Sequence, residues 1–166
     1  MLARVQSYLL VGVEASPCEV EIDLDDTAME KSTLVGLPDA AVKESLQRVR
    51  SALANSGYLP PAGAIVVNLA PADQKKEGPL YDLPIAVGML VAMGVIHSGP
   101  RPKPGTKSSA AQGASQAAPG IPLQQCLIAG ELALDGRLRP IRGVIAMADM
   151  ARLTRSRSRR SMCSRS

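Results

Sequence analysis

The sequence predicts an α+β domain in which helices cover one face of a mixed sheet. Three stretches carry this. Cys18 to Leu24 alternates strictly, with Cys18, Val20, Ile22 and Leu24 apolar and Glu19, Glu21 and Asp23 charged, as in a strand with one wet face. Ala40 to Asn55 sets Val42, Leu46, Val49 and Leu53 on one helical stripe. Leu83 to Gly94 is uncharged and rich in Ala, Leu and Met, so it reads as a helix buried on every side. It falls short of the roughly 20 apolar residues that a membrane span needs.

In chain order, residues 2–13 form a first strand through Val5, Tyr8, Leu10 and Val11. Cys18–Leu24 is the second. Its three outward acids diverge along the strand, which makes them a solvated face rather than a metal site. Thr33-Leu-Val35 is a short third strand. Gly36-Leu-Pro-Asp39 is a turn whose Asp39 caps the first helix, and Gly57 ends it. Burying its four-residue stripe contributes roughly 6–10 kcal/mol before entropy, at about 1.5–3 each. Lys43, Gln47 and Arg50 line the opposite side as a solvated face, with phosphate contact by Lys43 and Arg50 as the alternative. Ala64–Leu69 alternates too little to have a wet face and is placed centrally in the sheet.

Asp82 is the expected N-cap of the apolar helix, with Pro84 in its first turn. Lys75, Lys76, Glu77 and Gly78 crowd the loop before it. A charged Gly-Pro loop at a positive helix end is suited to an anion or a reacting group. Two readings stand: a helix entry whose charges pair with each other or water, and a contact for DNA or another domain.

Residues 97–125 hold five Pro, three basic residues and no acid, the composition of a disordered insertion. Gly99 to Ser108 faintly resembles a phosphate-binding loop, but its spacing is wrong and its prolines remove N–H donors. His97, the single histidine, reads as a helix-end residue. Cys126–Leu134 is a strand, Asp135-Gly136 a tight hairpin turn, and Arg137–Ile141 the return strand. A third helix starts at Gly143 and loses its period after Ala151. From Arg152 onward an Arg/Ser tail, expected to be disordered, reads as a truncated or frameshifted end. Phosphate binding by that tail is the alternative.

The net charge of +4 belongs to the tail: it holds six Arg and no acid, while residues 1–151 carry 13 basic and 15 acidic groups. With no Trp or Phe, the composition argues against base stacking on aromatic platforms as a binding mode. Cys18, Cys126 and Cys163 are far apart and form no CxxC pair, so neither a zinc site nor a disulfide framework is expected. The N-terminus lacks the clean apolar core of a signal peptide, and a cytoplasmic location is the expectation.

Val35-Gly-Leu-Pro-Asp-Ala-Ala-Val-Lys-Glu-Ser45, Val67-Asn-Leu-Ala-Pro-Ala-Asp73, Lys75-Lys-Glu-Gly-Pro79, Asp82-Leu-Pro-Ile-Ala86 and Gly130-Glu-Leu-Ala-Leu-Asp-Gly-Arg-Leu-Arg-Pro140 together resemble one family. It is the N-terminal domain of the magnesium-chelatase-like AAA+ ATPases, and the likeness covers residues 1–151 apart from the insertion. The resemblance implies a ribosomal protein S5 domain 2-like fold, shared with the Lon peptidase domain and containing a left-handed β-α-β crossover. It marks Gly36, Pro38, Asp39, Asp135 and Gly136 as structural motif residues. It also implies hexameric rings, an ATPase domain as partner, and DNA branch migration by competence-associated members.

Lon-type peptidases use a Ser activated by a Lys of lowered pKa. By that resemblance Leu80 stands at the Ser position and Ile145 at the Lys position, and neither can attack or move a proton. Ser45 and Ser51 lie on the first helix and offer no substitute pair. The expectation is therefore a non-catalytic binding and assembly module, with a self-standing nucleic-acid binder as the alternative. No GxxxxGK[ST] occurs, so ATP and Mg are expected only in full-length relatives, and this chain is expected to hold no cofactor.

Overall fold

Strands β1 (Leu2–Val11) and β2 (Glu14–Asp25) form a long antiparallel hairpin, paired from Leu2↔Asp23 to Val11↔Glu14 in a computed structural model that describes residues 1–97, 99 and 122–163. The predicted alternation holds: Cys18, Val20, Ile22 and Leu24 are buried, and Glu19, Glu21 and Asp23 are not. Their faces differ because each step along a strand reverses the side chain.

β4 (Ala64–Ala70) pairs antiparallel with β2 and parallel with β3 (Lys31–Val35), so the mixed sheet runs β1-β2-β4-β3. β4 is central, as predicted, but the expected absence of a wet face is corrected. Ile65, Val67 and Leu69 are buried while Val66 is exposed, because no helix covers that side of the strand's middle.

The helix between β3 and β4 comes in two pieces, α1 (Ala40–Lys43) and α2 (Ser45–Asn55), broken at Glu44. Val42, Leu46, Val49 and Leu53 are all buried, as the stripe requires. A short 3₁₀ turn (Pro79–Tyr81) leads into α3 (Asp82–Ala92), which packs on β1, β2 and α2. Gly88 lets α3 lie close to the sheet: a Cβ there would sit 2.1 Å from Ile22 Cδ1.

Several expectations are revised after α3. The last part of the 97–125 insertion is ordered: Leu123–Gln125 form a 3₁₀ turn against β1, and Leu123 is buried, so an apolar anchor ends the polar segment early. The stretch resembling a phosphate loop lies outside the described residues except for Gly99. The Cys126–Leu134 strand reduces to a single bridge, Leu127 beside Gln6, and the two residues of β5 (Glu131–Leu132), which pairs with β6 (Leu138–Arg139). Gly130 N donates to Leu80 O at 2.9 Å and Leu83 N to Gly130 O at 3.0 Å, so the chain between is bound to the entry of α3 rather than to a strand.

Helix α4 (Val144–Cys163) continues past Ala151, where the sequence pattern broke off. The Arg/Ser stretch has no apolar stripe, yet it contains no Gly or Pro to interrupt the backbone ladder. Nor do all helices share one face. α3 meets Val5 and Ile22, whereas α4 borders Ala15 and Pro17, which pair with Leu10 and Tyr8 on the opposite face. The hairpin overshoots the other strands, so its end has apolar residues on both sides and needs a second cover.

Candidate functional site at the mouth of helix α3

Two of the predicted motifs are zipped together here. Lys76 N donates to Leu37 O at 3.1 Å, and Asp39 N donates to Lys76 O at 3.0 Å. Gly36 has φ +100, and a Cβ on it would lie 2.1 Å from Leu69 O, so only glycine fits where the turn crosses β4. The predicted capping role of Asp39 is present: Oδ1 accepts from Val42 N at 2.8 Å. Its other oxygen accepts from Gly78 N at 3.2 Å, which fastens the second loop to the first.

Asp82 departs from its expected role. It is the first residue of α3 and makes no cap bond; it is fully buried and faces Arg48. Arg48 Nε and Nη2 donate to its two oxygens at 2.9 and 3.1 Å, and Leu132 N donates to Oδ2 at 3.2 Å. A buried carboxylate needs a cation and hydrogen bonds rather than a solvated cap position. Arg48 Nη2 also reaches Ala41 O at 2.9 Å and Ser45 Oγ at 3.0 Å, so one guanidinium ties α1, α2 and α3. The hydrogen bond to Asp82 raises the Arg48 pKa, against the opposing effect of burial.

Lys76 is fully buried rather than solvated. Its amine donates to Gln74 O at 2.7 Å and to Pro71 O. Burial lowers its pKa, with Cys18 and Asp73 acting in the other direction. Burial pushes the nearby Cys18 thiol up to about 11, partly offset by Lys76 and Tyr81. Tyr81 is likewise raised by burial. This is the lowered lysine that a nucleophile would need, yet among the described residues no serine hydroxyl bonds to it. Ser45, also buried, is held by Arg48 instead.

The other candidates disperse. Lys75 is exposed and pairs with Glu77 at 2.9 Å, which the hydrogen bond to Glu77 registers as a raised Lys75 pKa. Lys43 is exposed on α1. Arg50, offered as a phosphate contact, is engaged with Glu30, Ser32 Oγ at 2.9 Å and Pro61 O at 3.3 Å. Leu80 is buried beside the helix mouth, whereas Ile145 is 88% exposed on the first turn of α4. Asp135 and Gly136 make the expected tight turn, with Asp135 Oδ1 accepting from Arg137 N at 3.1 Å and Gly136 at φ +83. Among the described residues no three His, Cys, Asp or Glu side chains converge as metal ligands. No described helix is long and apolar enough to cross a membrane.

Sequence reasoning missed Arg48. The available signal was Asp82 itself, a carboxylate opening an apolar run and so requiring a cation from elsewhere.

The family model described as subunit ChlI of Mg-chelatase matches residues 20–102. The uncharacterized protein YifB of Salmonella typhimurium is 40% identical over 150 residues, which cover 90% of this chain and 25% of that protein. YifB of Escherichia coli is 39% identical over 150 residues, with the same coverage. Competence protein ComM of Haemophilus influenzae is 41% identical over 144 residues, covering 87% of this chain and 24% of ComM. The chain thus spans about a quarter of the length of the relatives it matches.

Proposed function

We propose, since the chain belongs to the family of Mg-chelatase subunit ChlI, that it is a non-catalytic binding and assembly module for a magnesium-chelatase-like AAA+ ATPase, with an S5 domain 2-like fold. The observation that carries this is the engagement of the charged side chains at the mouth of α3 within the fold. Asp82 is held by Arg48, Asp39 joins two loops, and Lys76 is bonded to carbonyls. A catalytic mouth needs a nucleophile and a base left facing substrate; Leu80 is buried there, and Ile145, which stands for the lysine by the resemblance, lies on the exposed start of α4. The mixed sheet and the β3-α1-α2-β4 unit of parallel neighbours support the fold assignment.

Its partners on this reading are the ATPase portion of a full-length relative and other copies in a ring, and the whole assembly serves DNA processing in natural transformation. The competence name of a 41% identical relative supports that last step. ATP and Mg bind the motor portion. Direct DNA contact by Lys75 and Lys43 is the second role, favoured by their exposure, Lys75 on the loop before α3 and Lys43 at the end of α1. The protein acts in the cytoplasm.

The test is a graft in which residues 1–151 replace the matching region of the H. influenzae relative. Rings of the same mass as the parent, with ATP turnover retained, support the module. Loss of assembly on deleting the region, without rescue by the graft, overturns it.

A further inference from the structure

The tip of the β1–β2 hairpin and the start of α4 enclose an apolar groove of about 810 Å³, walled by Leu10, Val13, Ile141, Val144 and Ile145. Val13 is 91% exposed and Ile145 88%. Large apolar side chains clustered at such exposure mark an interaction site rather than ordinary surface. Asp149 is the one charged residue of the wall, and Arg152 Nη2 holds it at 2.8 Å, so no lone charge must be desolvated when the groove is covered. Ile145, which has no chemistry to offer in place of a lysine, has a packing use here.

We propose that this groove seats an apolar face of the ATPase portion that follows the matched region in the longer relatives. The inference rests on the assembly reading above and names the surface through which it works. About three quarters of each relative lies outside the matched region. The first turns of α4, from Val144 to Asp149, form one wall, and the likeness to the longer relatives ends at Ala151, within a turn of that wall, so their further chain departs from beside the groove. An intramolecular neighbour at such effective concentration closes a modest apolar site without needing high intrinsic affinity.

The test is cysteine accessibility. In a background with Cys126→Ser, and with Cys163→Ser in the 166-residue chain, single V13C, I145C and M29C variants are made in that chain and in the graft, and maleimide labelling rates are compared. Val13, Ile145 and Met29 are so exposed that these changes leave the core intact. The expected result is labelling at 13 and 145 at least tenfold slower in the graft than in the chain, with M29C equal in both. Equal rates at all three sites in an assembled, ATP-hydrolysing graft overturn the groove and leave the assembly reading standing. Concentration-dependent protection in the 166-residue chain alone overturns it in favour of a second copy. A graft that forms no rings counts against the assembly reading, and the groove is then decided by the same cysteines at the aligned positions of the H. influenzae relative: protection there supports it, full reactivity overturns it.

Discussion

Removing Asp82 strands a guanidinium that joins three helices. Asp82 is fully buried and takes two N–H bonds from Arg48 and one from Leu132. Breaking one partner of a buried pair costs about 3–5 kcal/mol. The Arg48 side chain is 22% exposed and gains some solvation once released, so Asp82→Ala falls at the lower end, about 3 kcal/mol. At this chain length that lowers Tm by roughly 6–12 °C, at about 2–4 °C per kcal/mol. Arg48→Ala is worse, since it leaves a carboxylate with no exposure at all, and about 4 kcal/mol is expected. The double variant then costs about 2 kcal/mol less than the two singles together, because the second removal relieves the stranded charge. Urea unfolding of the four proteins, with calorimetry alongside, measures the cycle. Additive singles, or a loss below about 0.5 kcal/mol for Asp82→Ala, would refute a pair that organises the helix mouth.

Gly36→Ala forces a Cβ towards Leu69 O at φ +100 and should destabilise by at least about 1–3 kcal/mol in the same assay. Cys18 gives a pH signature: its thiol moves from an ordinary 9.0 to about 11 on folding. The unfolded chain therefore loses that proton first, and the group's contribution to stability falls as pH rises from about 9 to about 11. The stability gap between wild type and Cys18→Ala should narrow across that window in urea titrations, and a constant gap would contradict it. DNA binding, by fluorescence anisotropy against salt, should vanish when residues 152–166 are removed, because the six arginines lie there over a body of 13 bases and 15 acids. Binding by the truncated body with a steep salt slope would overturn that charge argument in favour of the second role, contact through Lys75 and Lys43.

Local patterns in the sequence carried much of the fold. The β2 alternation, the stripe on α1 and α2, the Asp39 cap and the Asp135-Gly136 turn each depend on residues within a turn or two of one another. Asp82 misled because its partner Arg48 lies 34 residues away, and no local rule distinguishes a capping aspartate from one awaiting a distant cation. Lys76 misled for a similar reason. Between Lys75 and Glu77 it reads as solvated, and only the zip between Leu37 and Asp39 turns it inward. The break at Glu44 interrupts a stripe that is continuous in sequence, and the opposite-face position of α4 follows from packing against the overshooting hairpin. No helical period encodes either.

The most direct test of a structural rather than catalytic helix mouth is peptide hydrolysis by the purified 166-residue chain across a mixed peptide library, read by mass spectrometry, beside Lys76→Met. The account predicts cleavage at the level of buffer for both. Cleavage by the parent that disappears in Lys76→Met, with the variant still folded, would contradict it.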